Sequence, residues 1–176
     1  VYLQLRLTGT SNYCKYFGLR ILNYVELEIG GQRIDRHYAH WLYIWNELTL
    51  PVSKRDGWND MVGAFGGTVG TNINSTLYIP LEFWFCRNIG LALPLIALQY
   101  HEVKINIEFS STGFSDATLW ADYIFLDTDE RRRFAQLSHE YLIEQVQFTG
   151  GESLSSSDTT LSAKLSFNHP VKELIW

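Results

Sequence analysis

NYVELEIGGQRIDRHY, residues 23–38, carries the clearest signal of the fold class. Val25, Leu27 and Ile29 alternate with Glu26 and Glu28, and Gly30-Gly31 follows where the chain must reverse. A period of two is that of a strand with one dry and one wet face, and a glycine pair at the reversal signals a two-residue hairpin turn. With the glycines as the central residues of a type I′ turn, the register predicts Glu28 opposite Arg33 and Leu27 opposite Ile34. Each such cross-strand pair contributes a few tenths of a kcal/mol, up to roughly 1.

The same period recurs on both sides of the hairpin. VYLQLRL (1–7) and HEVKINIEF (101–109) alternate cleanly, and ATLWADYIFLD (117–127), EYLIEQVQF (140–148) and LSAKLSF (161–167) alternate less regularly. TLYIPLEFWF (76–85) is apolar on both faces, and its Pro80 assigns it to an edge or a bulge. One helix is predicted over AHWLYIWNELTLP (39–51), where Trp41, Leu42, Trp45 and Leu48 recur at helical spacing ahead of Pro51. KRDGWNDMVGAFGGTVGTNINST (54–76) reads as a long surface loop with one helical turn near Trp58 to Val62. GGESLSSSD (150–158) reads as a flexible connection. About eight strands, a single convincing helix and long loops specify an all-β sandwich of the Greek-key or jelly-roll kind.

Composition narrows the function classes. Aromatic residues make up 15% of the 176 positions and charged residues 19%, below the roughly one quarter of average chains. Such a balance fits either a large aromatic core or a surface meant for burial against another molecule. A formal charge of −5 opposes direct nucleic-acid binding, which runs on a basic footprint. IGLALPLIAL (89–98), the longest apolar run, is broken by Pro94 and is too short to cross a bilayer as a helix. Cys14 and Cys86 form neither a CxxC pair nor a dense framework, which points to ordinary buried thiols in a reducing compartment, with a single disulfide as the alternative. The chain starts inside a strand without Met and stops on the apolar cluster Val171, Leu174, Ile175 and Trp176, so the sequence reads as cut at both ends.

Catalytic chemistry finds no foothold in the pattern. His37 and His40 have a spacing that places both on one helical face, yet a zinc site takes three or four ligands with supporting partners. His101-Glu102 and His139-Glu140 both lack the second histidine of HExxH. Gly63, Gly66, Gly67 and Gly70 are followed by neither Lys-Ser nor Lys-Thr, so a surface loop is the better reading than a phosphate cradle. No metal, cofactor or catalytic residue is assigned. The densest charge run, DTDERRRF (127–134), sets Asp127, Asp129 and Glu130 before Arg131, Arg132 and Arg133. Guanidinium forks suit bidentate carboxylate pairing, so these six residues are expected in an inter-strand or intersubunit ion network, with a solvated turn as the alternative. Asn74-Ser75-Thr76 is a glycosylation sequon, which marks Asn74 as the candidate for modification.

Four stretches together resemble one family. VELEIGGQRIDRHYAHWLYIWNELT (25–49), LYIPLEFWFCRNIGLALPLIALQYHEVKINIEF (77–109), LWADYIFLDTDERRRFAQLSHEYLIEQ (119–145) and FNHPVKELIW (167–176) are similar to the major capsid proteins of large double-stranded DNA viruses of eukaryotes, especially the algal-virus type. The resemblance implies a double jelly roll whose trimers form pseudo-hexagonal capsomers tiling an icosahedral shell, and no enzyme. On that reading residues 1–148 hold most of the first jelly roll without its first strands, 149–163 connect, and 164–176 open the second, with partner strands beyond Trp176. The implied partners are its own copies as a homotrimer, neighbouring capsomers, and minor capsid and cement proteins, with an internal viral membrane nearby and no direct nucleic acid. The implied location is the virion, assembled in the infected cell's cytoplasm. Two alternatives stay open: a transient scaffold lattice related to capsid proteins, and a jelly-roll carbohydrate-binding module whose loop aromatics, such as Trp58, stack on sugars.

Overall fold

A computed structural model of the chain describes residues 1–8, 12–71, 73–110, 113–157 and 159–176. The first strand, β1 (Tyr2–Leu7), turns Leu3, Leu5 and Leu7 inward. After β2 (Asn12–Tyr13) and the single-turn α1 (Phe17–Arg20), β3 (Leu22–Ile29) and β4 (Gln32–Tyr38) form the hairpin. Next come α2 (Ala39–Thr49), α3 (Val52–Val62), β5 (Gly67–Thr68) and β6 (Thr76–Pro80). The short α4 (Trp84–Arg87) and a 3-10 turn at Ile89–Leu91 precede β7 (Val103–Phe109), β8 (Phe114–Trp120) and α5 (Thr128–Gln136).

The longer strands pair into two antiparallel three-stranded sheets, in the orders β6-β1-β8 and β4-β3-β7, and β2 pairs with β5. Consecutive strands β7 and β8 lie in different sheets, so the chain crosses between layers, as jelly-roll connectivity requires. Leu3 and Leu5 of β1, Leu77 and Ile79 of β6, and Val25 and Leu27 of β3 belong to one buried core, against which Ile105 and Ile107 of β7 pack. Full burial of a side chain of this size is worth about 1.5–3 kcal/mol, which makes this alternation the main determinant of the sandwich. Pro80 closes β6 at a sheet edge, where its missing N–H breaks no ladder.

The hairpin keeps half of its expected register. Gly30 and Gly31 both take positive φ, at 60° and 81°, and Glu28 lies opposite Arg33. A bulge between Leu27 and Glu28 then sets Leu27 opposite Asp35, so the expected Leu27–Ile34 pair does not form. A Cβ on Gly30 would come within 2.7 Å of the His101 ring, so this turn has no room for a side chain.

Three expectations are corrected. Within 54–76 the chain is not one loop, because α3 runs over eleven residues from Pro51 to a left-handed Gly63 and buries Trp58 and Val62, one turn apart. The run at 127–134 is the start of α5, since the Asp127 carboxylate caps the Glu130 N–H at 2.8 Å and the acidic-first, basic-last order suits the helix dipole. In α2 the inward residues are Leu42 and Asn46, whereas Leu48 is 63% exposed.

Strands are also fewer toward the C-terminus than alternation predicts. β8 starts earlier than expected and ends at Trp120, and among the described residues neither 121–127, 140–148 nor 161–167 enters a ladder. Alternation specifies which face wants cover, but a strand exists only when a second backbone takes up its N–H and C=O groups. Residues 1–145 and 146–176 form separate compact units. In the second, Gln147 and Asn168 exchange two hydrogen bonds of 3.0 Å and close the intervening loop, and nearly every described residue is exposed.

Candidate functional site

The outward positions of β3, β4 and β7 build an inter-strand ion network. Glu26 takes both Nε and an Nη of Arg36, with Nε at 2.8 Å, and Arg33 stands 3.9 Å away. Lys104 reaches Glu102 at 3.1 Å and Glu28 at 3.9 Å, and Asn106 bridges Glu26 and Glu28. The Arg36 guanidinium lies 4.2 Å from the centre of the Tyr24 ring. Hydrogen bonds from Asn23 and then Tyr24 hold the Glu108 carboxyl below its ordinary range, and the same contact with Glu108 raises Tyr24. Every charge on this face has a partner within the sheet, so the face is finished toward water.

The other sheet shows a different outer face. Tyr2, at the centre, stacks on Trp120 at 6.4 Å and meets Tyr78 edge-on at 5.9 Å. The Trp120 indole N–H donates to Gln4 at 2.7 Å, yet its ring remains 49% exposed. Just after it in the chain, Tyr123, Ile124 and Phe125 are also exposed, with Phe125 at 94%. Exposed aromatic residues of this kind are enriched at the centres of protein interfaces.

Between the sheets lies a buried polar cluster that β4 creates by turning Asp35 and His37 inward. His37 Nε2 is 2.9 Å from Asp35 Oδ2, and the Arg36 N–H donates to Asp35 Oδ1 at 2.9 Å. The His37 ring stacks on Phe83 at 4.5 Å. Asn46 of α2 donates to the Leu42 carbonyl and, at 3.3 Å, to Glu82. Burial raises the Glu82 carboxyl above the ordinary carboxylate range, opposed by the Asn46 hydrogen bond and the Arg87 charge. Arg87 itself lies over the Trp45 ring at 4.4 Å and pairs with Glu144 at 2.9 Å. These contacts tie β4, α2, α4 and residue 144 together, an arrangement suited to rigidity and offering no nucleophile beside a base.

The residues singled out from sequence fall mostly elsewhere. Asp127, Asp129, Glu130, Arg131, Arg132 and Arg133 all lie exposed on or beside α5, with an Asp129–Arg132 contact of 3.4 Å within the helix. The inter-strand network is instead made by Glu26, Glu28, Arg33, Arg36 and Lys104. Its signal lies in the wet positions of three alternating strands, acidic on one and basic on its neighbours. His37 and His40 do not share a helical face, because His37 points inward from β4 and His40 is exposed at the start of α2. Among the described residues no group of three His, Cys, Asp or Glu is close enough to hold a metal ion. Cys14 and Cys86 are both free thiols, with Cys14 exposed and Cys86 half-buried. Trp58 is buried and presents no ring to solvent, whereas Asn74 is exposed.

Comparison with known proteins converges on one family. A family model described as the major capsid protein N-terminus matches residues 4–114, and one described as the large eukaryotic DNA virus major capsid protein matches residues 130–176. The chain is 55% identical to the major capsid protein of Pyramimonas orientalis virus, covering 100% of this chain and 48% of that protein. It is 44% identical to the major capsid protein of Paramecium bursaria Chlorella virus 1, covering 96% of this chain and 42% of that one. Thus the chain spans about half the length of the curated relatives it matches. Among solved structures, a quasi-atomic model of the PBCV-1 virus capsid superposes with a TM-score of 0.76 at 42% identity, covering 96% of this chain and 45% of that one.

Proposed function

Because the chain belongs to the major capsid protein family of large eukaryotic DNA viruses, a family of structural proteins rather than enzymes, we propose that it builds a virus shell as a homotrimer. Three copies form a pseudo-hexagonal capsomer, and capsomers tile an icosahedral lattice together with minor capsid and cement proteins. Residues 1–148 belong to the first jelly roll, 149–163 connect, and 164–176 open the second. Assembly takes place in the cytoplasm of the infected cell, and the protein resides in the virion without touching the genome directly, in keeping with its net charge of −5.

The observation that carries this reading is the set of exposed aromatic residues Tyr78, Trp120, Tyr123 and Phe125, with Tyr2 packed against Tyr78 and Trp120. Shell tiling needs broad apolar contact between rigid bodies, and this sandwich supplies the rigid body, with aromatic residues exposed on and just after β8. Asp127, Asp129, Glu130 and the three arginines Arg131 to Arg133 carry their charge on an exposed helix and enter an ion network between subunits. Asn74, exposed within its sequon, is the position for a glycan.

Native mass spectrometry of the full-length protein, with the chain mass read after denaturation, tests the trimer. A trimer of a chain about twice as long as this one is expected, because this chain covers 48% of a close relative. A monomer of any length, stable at micromolar concentration, would remove the capsomer reading.

A further inference from the structure

Phe65 is 61% exposed and is the only aromatic residue in the stretch 63–76, which is rich in glycine and small polar residues. It lines a depression of about 380 Å³ together with Asn59, Asp60, Thr71, Asn74 and Ser75. Among the described residues, none of these five side chains is engaged in a hydrogen bond or ion pair. Leaving aside Asn74, the proposed glycan position, an amide, a carboxylate and two hydroxyls therefore stand with donors and acceptors free beside one aromatic ring.

Several described backbone positions around the depression are tied. Gly63 ends α3 in the left-handed conformation at φ 69°, and a Cβ there would meet the buried Ile73 at 2.9 Å. Gly66 seats the loop against the backbone of Tyr13 and Lys15, where a Cβ would come within 2.8 Å. The Gly70 N–H donates to the Ile73 carbonyl at 2.9 Å, the Thr71 N–H to the Thr68 carbonyl at 3.1 Å, and β5 pairs with β2. Backbone tied at these positions loses little conformational freedom when a ligand binds.

We propose that this depression binds a carbohydrate. A sugar ring offers a C–H face to an aromatic side chain and hydroxyls, each donor and acceptor, to amides and carboxylates, and the lining supplies both. The volume lies within the range of small-molecule sites, in which a few placed polar groups fix orientation. Other ligand classes fit less well. Among the described residues no Lys or Arg lines the depression, and Asp60 repels phosphate, against a nucleotide or nucleic acid. A single carboxylate falls short of the six or so oxygen ligands of a calcium site. The site is built by one copy of the chain, so it stands independently of the trimer. It also relocates the sugar-stacking ring from buried Trp58 to exposed Phe65.

The test is saturation-transfer difference NMR of the full-length protein in its native assembly with methyl glycosides of glucose, galactose, mannose and N-acetylglucosamine. Transfer to the ring protons of at least one glycoside is expected. The affinity falls about tenfold or more in Phe65→Ala and in Asp60→Asn, and is unchanged in Phe125→Ala. Thr76→Ala destroys the sequon while keeping the Asn74 amide, and leaves binding intact. Phe65 and Asp60 are exposed, so equal melting temperatures accompany these losses; Asp60→Asn carries the test alone if Phe65→Ala fails to fold. No transfer from any glycoside overturns the site, as does transfer that survives both substitutions. Transfer abolished by Thr76→Ala alone also overturns it, since the signal would then come from a glycan on Asn74.

Discussion

Residues 1–120 and 121–145 both contain alternating stretches, such as 1–7 and 103–109 in the first and 121–127 and 140–145 in the second, and these meet different fates. In the first region Leu5, Leu27, Leu77 and Ile79 disappear into a shared core. In the second Phe125 and Leu142 are 94% and 86% exposed, on backbone that joins no sheet. The difference lies in partners. β1 is flanked by β6 and β8 and β3 by β4 and β7, so each inward side chain meets another across the sandwich. The stretch at 137–145 is held through side chains, by the Arg87–Glu144 ion pair and the Gln145 amide on the Ile34 carbonyl. Under the proposed function, the assembled shell supplies the cover for its apolar positions.

The largest contrast should appear on truncating a ring in each region. Phe83→Ala removes a fully buried side chain stacked between His37 and Phe85, and should lower unfolding free energy by about 3–5 kcal/mol in urea titrations. Phe125→Ala should change it by less than about 0.5 kcal/mol, while reducing the yield of assembled particles in sedimentation. Equal destabilisation by the two would erase the distinction. Next in size, His37→Ala leaves the Asp35 carboxylate buried without its histidine and should destabilise by about 3 kcal/mol. A double-mutant cycle with Asp35→Asn then measures how much of that loss belongs to the pair.

Much of the first region is legible in sequence, because clean alternation in β1, β3 and β7 reports sidedness directly. Two features escape for local reasons. Gly57, Asn59 and Asp60 read as loop residues, and they mask a helix whose evidence is Pro51 before it, Gly63 after it and the Trp58–Val62 spacing. The bulge at Leu27/Glu28 displaces Ile34, which no period-two reading anticipates. Charge is densest in sequence at 127–133, whereas the ion network forms where charges are adjacent in space, on the wet positions of three strands. Inward Asp35 and His37 break the apolar rule, and only their position on β4 reveals them as a pair.

Two smaller effects separate the regions further. Asp127→Ala removes the cap of α5 and should reduce the stability of that helix by about 1 kcal/mol, seen as faster amide exchange over 128–136 with the sheets unchanged. Glu82 gives the smallest effect and a signed one. Its folded carboxyl is raised above the unfolded value of 4.5, so the folded state binds the extra proton. The burial penalty is therefore fully present at neutral pH and is relieved as pH falls through the raised value toward 4.5. Stability of the wild type should carry an upward contribution over that interval, and Glu82→Gln should lack it; a Glu82→Gln profile parallel to wild type would contradict the assignment.

Whether assembly covers the exposed aromatic surface can be read by hydrogen–deuterium exchange with mass spectrometry, on dissociated subunits and on intact particles of the full-length protein. Peptides covering 3–7, 22–29 and 103–109 should be slow in both states. Those covering 121–127 should exchange freely in the subunit and gain strong protection in the particle. Exchange over 121–127 that is equally fast in both states would mean that assembly leaves this surface open, and the proposed role of its aromatic residues would fall.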